Sequence, residues 1–252
     1  MSEATYVPPP SPPPPPPPVI PPSLPPRDPN DFDFGKPFTF VFEDPQWVNK
    51  ILLGGLFYLA GFLFIGWFFI LGYCAKLARN VIAGVQYPLP EWDDLGGYFA
   101  EGARLIGVVL IYCVPLIALV FTFIVPAIML DSTGNDLAEA IGSGMAGCLW
   151  CLMVPLSLAI VIFLPASLLF TAVEQRFGAA FEFSRIWSFI KTNIGNYLLA
   201  VVIYLIARFL GGFGIFLLCI GVIFTGFWAM LVTAYGFAQV YKIATRARAV
   251  SS

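Results

Sequence analysis

Between Tyr197 and Tyr241 the chain carries a single charged side chain, Arg208. Three other stretches, Ile51 to Cys74, Leu105 to Leu130 and Ala140 to Val173, carry none. These runs dictate the class of fold. A helix needs about 20 apolar residues to cross a hydrocarbon core about 30 Å thick. Within that core only a helix or a closed barrel satisfies its own backbone. A soluble fold of 252 residues could not hide so much apolar surface: 59% of the chain is hydrophobic and 11% charged, against roughly 25% charged in soluble domains. The expectation is an all-α polytopic membrane helix bundle.

The runs set the expected boundaries: a membrane domain over residues 37–242, with spans near 51–74, 105–130, 145–172, 197–218 and 222–241. The last run is long enough for two helices, turning at Gly221 or at Gly211-Gly212-Phe213-Gly214. The third run, with Pro155 and Pro165, is too short for two and reads as one long, tilted or bent helix. Residues 1–36 form a tail that holds most of the 23 prolines, Pro12 to Pro18 without a break. It lacks the basic flank and apolar stretch of a signal peptide. Proline fixes φ and donates no hydrogen bond, so the tail is expected to be disordered or polyproline II. It serves as a solvated spacer or as a ligand for a partner that binds proline-rich motifs. Phe32, Phe34, Phe38, Phe40, Phe42 and Trp47 alternate with acids and suit the headgroup zone. Residues 243–252 form a short C-terminal tail.

Lys and Arg in short loops set orientation. Lys76, Arg79 and Arg104 follow the first span, and Arg176, Arg185 and Lys191 follow the third; Lys242, Arg246 and Arg248 end the chain. The loop between the second and third spans has only Asp131, Asp136 and Glu139. This alternation places the basic loops and the C-terminus in the cytoplasm. With five spans the N-terminus then faces outward; a sixth or re-entrant segment would bring it inside. Each basic loop also holds a stretch with helical apolar spacing, residues 91–104 and 181–194. Both are expected as cytoplasmic amphipathic helices lying in the membrane plane, anchored by Trp92 and Trp187. The pattern of span, loop, interfacial helix and span occurs twice, as in a duplicated unit.

Gly72-Tyr73, Arg79, Gly84, Leu89-Pro90-Glu91-Trp92-Asp93-Asp94 and Phe99-x-x-Gly102 form a recognisable series. It resembles a prokaryotic family of multispanning membrane proteins catalogued only as a domain of unknown function. The similar region runs from about Pro37 to Lys242. The resemblance implies an integral domain of a bacterial or archaeal cell membrane. It brings no activity, substrate or catalytic residue.

Chemistry is sparse. The chain has no histidine, so the commonest general base and metal ligand is absent. Cys148-Leu149-Trp150-Cys151 has the spacing of a redox pair or half a metal site, but no basic residue lies near to stabilise thiolate. Core packing is the better reading. Asp93, Asp94 and Glu101 gather carboxylates beside Trp92. With no nucleophile near them, a structural cap paired to Arg79 or Arg104 fits better than acid–base work. Arg208 costs roughly 2.5–3.5 kcal/mol at a helix centre and is expected, with Trp92 and Trp187, to contact another subunit or lipid. Gly142, Ser143, Ala146 and Gly147, and Ala207 with Gly211, permit close helix approach. No catalytic, cofactor or metal site is expected, nor any nucleic-acid binding. The chain reads as a non-catalytic scaffold or accessory subunit of a membrane complex. The alternative is a transporter or channel for a small or lipid-like solute, since four prolines within spans can break helices along a pathway.

Overall fold

The computed structural model describes residues 32–132, 135–216 and 221–251. The expectations for the proline tract fall outside them. All regular structure among the described residues is helical: α1 (Lys36–Glu43), α2 (Trp47–Ala60), α3 (Ile65–Ala83), α4 (Leu95–Asp131), α5 (Asp136–Glu174), α6 (Phe183–Thr192), α7 (Ile194–Gly212) and α8 (Gly221–Ser251). Five of these segments are long and apolar enough to cross a membrane: α3, α4, α5, α7 with its extension to Phe216, and α8 as far as Ala247. The protein is thus a polytopic helical membrane protein with five such helices.

The first apolar run is not one straight span. α2 ends at Ala60, and a 3₁₀ turn covers Gly61–Leu63. Phe64 then takes φ 62°, a region rarely used outside glycine. α3 returns along α2. The Phe57 ring stacks on Phe69 at 4.7 Å, and Tyr58 meets Trp67 at 5.6 Å. Gly66 lies against the α2 backbone at Phe57 and Ala60, where any side chain would collide. The run expected as span 51–74 is therefore parts of two legs of a hairpin.

This hairpin brings the N-terminal side of the described chain against α8. α1 packs along the middle of α8: Phe38 lies 6.2 Å from Trp228 and Phe40 stacks on Tyr235 at 4.4 Å, while just before α1 the Asp33 carbonyl accepts from the Gln239 amide at 3.3 Å. The two described ends of the chain share one end of the bundle. Five straight spans would have separated them; the return leg α2 brings them together.

The segment expected as an interfacial helix at 91–104 also differs. Residues up to Asp94 are irregular, and α4 starts at Leu95, where the Asp94 carboxylate accepts from the Gly97 amide at 2.8 Å. α4 then runs unbroken to Asp131. In the second half α6 is a separate amphipathic helix, burying Ile186, Phe189 and Ile190. The two halves therefore do not share the expected span–helix–span unit.

α4 and α5 form a long antiparallel pair, each more than 50 Å at about 1.5 Å per residue. Pro115, Pro126, Pro155 and Pro165 lie within them without ending them. Midway along α4 and near the C-terminal end of α5 the pair is tied to the segment after α5: the Tyr112 hydroxyl sits 2.6 Å from Ser167 Oγ and donates to the Ala180 carbonyl at 3.0 Å. Beyond it, no residue from Cys113 to Leu130 is buried. Side chains such as Phe121, Met129 and Trp150 point outward. An apolar surface on all sides is what lipid-facing helices carry, whereas soluble proteins seldom expose large apolar patches.

Two glycines bring α3 and α4 into backbone contact. Gly102 abuts the Phe68 carbonyl and Gly72 abuts that of Tyr98. Replacing Gly102 by valine should lower the melting temperature in detergent by several degrees. Overpacking costs about 1–3 kcal/mol, and one kcal/mol moves Tm by about 2–4 °C at this size. Gly144→Ala, where an added Cβ meets nothing within 4 Å, should leave it unchanged or slightly raised.

Candidate functional site

Proline at 88 and 90 removes two amide donors but leaves two carbonyls to satisfy. Pro88, Leu89 and Pro90 are all buried, so their carbonyls cannot rely on water. Each finds a side chain. Asn80 Nδ2 donates to Pro88 O at 2.8 Å, Lys50 Nζ to Leu89 O at 3.1 Å, and the Tyr73 hydroxyl to Pro90 O at 2.8 Å. The Tyr98 hydroxyl donates to Glu91 O. Four consecutive carbonyls thus accept from α2, α3 and α4. The loop is irregular in backbone but closed in hydrogen bonding.

Lys50 is the centre of this clamp. Its ammonium lies 2.8 Å from Asp44 Oδ2 and 2.7 Å from Glu91 Oε1. Lys50 is 5% exposed and Asp44 3%. A buried ion of either sign costs several kcal/mol to desolvate, so the pair persists only because each charge is met in good geometry. Asp44 also accepts from the Gln46 amide at 2.8 Å, which fixes the turn into α2.

Trp92 closes the loop on its apolar side. It stacks on Tyr73 at 4.2 Å and on Phe57 at 4.8 Å, and meets Tyr98 edge-on at 5.8 Å. Its indole N–H donates to Lys50 O at 3.1 Å. Trp92 therefore sits within an aromatic stack inside the bundle, not on a helix at the membrane surface.

A second clamp joins three helices. The Arg79 guanidinium grips the Glu101 carboxylate with both nitrogens, Nη2 at 2.7 Å, and Nη1 also donates to the Ala172 carbonyl at 2.8 Å. Arg79 thus pairs with Glu101, and Asp94 serves as the cap. Gly84, at φ 78°, ends α3 in the left-handed conformation that favours glycine. In the series read from the sequence, Gly72, Tyr73, Arg79, Gly84, Leu89 to Trp92, Asp94 and Gly102 all have work in holding the loop and its helices.

The α6 region carries its own charge cluster. Arg185 contacts Glu174 at 2.5 Å and Glu182 at 3.0 Å, and Arg176 bridges the same two acids. The hydrogen bond from Arg185, aided by Arg176, holds the Glu182 carboxyl below its usual range. The cluster is therefore intact at neutral pH and is lost as pH falls through that lowered value. Trp187 is 44% exposed, stacks on Phe163 at 5.6 Å and lies under Lys191 Nζ at 4.9 Å.

The remaining candidates are dispersed. Cys148 and Cys151 are free and exposed on α5. Core packing is not their environment, because that part of α5 faces outward. Gly142 packs on Ala127, while Gly144 and Gly147 face open space; Gly211 packs on Ala229 and Thr225 of α8. Arg208 is exposed on α7. No group of metal-ligating side chains is found among the described residues. Lys50, Asp44, Asn80 and Tyr98 escaped the reading of the sequence; buried prolines flanking one residue were the available signal.

Five long apolar helices closed by an internally bonded loop define a multi-pass membrane protein. The chain belongs to the family described as Protein of unknown function (DUF4013), which matches residues 55–244. No curated protein and no solved structure matches it.

Removing one partner of a buried ion pair costs about 3–5 kcal/mol. Lys50→Met should lower stability by that amount in a detergent melt. Adding Asp44→Asn to it should restore part of the loss, because the uncompensated charge is gone.

Proposed function

We propose that the protein is a non-catalytic scaffold or accessory subunit of a complex in a prokaryotic cell membrane. One observation carries this reading: the polar side chains of the loop motif are spent on the chain itself. Lys50, Tyr73, Asn80 and Tyr98 satisfy loop carbonyls, and Arg79 satisfies Glu101 and Ala172. A catalytic or transport site needs groups aimed at a ligand instead. The α4–α5 pair, apolar on all sides, offers lipid and partner helices a large surface. The basic loops, the C-terminal tail and α1 share one end, which the Lys and Arg bias assigns to the cytoplasm.

Transport of a lipid-like solute is the second reading. It is favoured by a hollow lined by Phe181, Glu182, Phe183, Ser184, Arg185 and Ser188, where aromatic and charged groups meet. The two readings separate on purification from native membranes in mild detergent, followed by native mass spectrometry. A second protein at fixed stoichiometry is expected. A monomer carrying one bound lipid or solute would contradict the scaffold and favour transport.

A further inference from the structure

The spanning segment Ile194–Phe216 has its midpoint at Leu205. Arg208 lies three residues on, within this apolar segment and four residues before α7 ends at Gly212. Its neighbours on the open side of α7 are apolar: Leu205 is 57% exposed and Phe209 68%. Arg208 has no hydrogen bond or ion pair among the described residues. Tyr204, one turn earlier, is also exposed, and its hydroxyl has no partner among them. Gly212, one turn later, would meet nothing within 4 Å if it carried a Cβ. A cation, a phenol and a gap for close approach therefore line one stripe of an uncovered helix.

We propose that this stripe docks a membrane helix of another protein that carries an aspartate or glutamate at the depth of Arg208. The inference rests on the scaffold reading and names the chemistry of its partner. Lipid phosphate fits less well. The Cα–Cβ bond of a helical residue tilts toward the helix N-terminus. On α7 that direction leads from Arg208 back toward Tyr204, away from the nearer helix end at Gly212. A guanidinium held there meets a carboxylate in bidentate fashion, while the Tyr204 hydroxyl supplies a further donor. Among the described residues, a second copy of this chain offers no acid within α3, α7 or α8. Glu101 and Glu174 stand at the loop end of their helices, and Asp136 and Glu139 at the opposite end of α5.

The test is photo-crosslinking of the full-length protein in its native membrane, with a benzophenone side chain at Leu205. The expected product is an adduct to a span of another protein that contains Asp or Glu. Its yield should fall at least tenfold in Arg208→Leu and Arg208→Gln and persist in Arg208→Lys. Replacing the partner's acid by its amide should give the same loss. Both neutral variants should melt like the parent, because Arg208 contributes no internal contact. An adduct of unchanged yield in the neutral variants, a partner span without an acid, or an adduct to a second copy overturns the inference and leaves the scaffold reading standing. Adducts to lipid alone overturn both.

Discussion

The ammonium of Lys50 holds together what the rest of the fold depends on. It joins α2 to Asp44 before it, and to Leu89 and Glu91 after α3. An apolar helix as short as α2 has little reason of its own to turn back at Phe64. The return is stabilised at the other end, where a buried charge is met only if α2 and the loop lie side by side. The same loop sets the start of α4, through Asp94 and Tyr98. Three helices, α2, α3 and α4, thus take their relative positions from one short stretch, and α1 joins them through Asp44.

That stretch obeys the rule that buried backbone must be paired. A helix meets it internally; a loop cannot. Here proline removes donors at 88 and 90, and side chains from three helices supply the carbonyls with partners. Much of the recognisable sequence series is explained by this single requirement. The spare surface lies elsewhere, on α4, α5 and α7, where apolar side chains face outward and one arginine stands among them.

The class of fold, its five long apolar helices, the unbroken α5 and the amphipathic α6 were legible, because uncharged length and helical spacing are one-dimensional signals. The α2–α3 hairpin was not. Ile51 to Cys74 contains no proline and no charge, and its glycines at 54, 55, 61, 66 and 72 read equally well as packing within a straight span. Their meaning depends on what lies opposite: Phe227 against Gly54, Phe224 against Gly55, the α2 backbone against Gly66. The loop was recognised as a motif but read as the start of a surface helix, because a carbonyl's need for a partner leaves no mark on sequence periodicity. The partners of Trp92, Tyr73 and Phe57, come from separate helices, so its stack leaves no local pattern in the sequence.

The first apolar run folds back on itself, which requires α1 and the C-terminal end of α8 to share one face. Single cysteines at Thr39, Thr245 and Ser132, each exposed, can be placed on a cysteine-free background in sealed vesicles. An impermeant maleimide then reports which face each occupies. Thr39→Cys and Thr245→Cys should label from the same side and Ser132→Cys from the other. Labelling of Thr39→Cys and Thr245→Cys from opposite sides would contradict the hairpin and restore a straight first span.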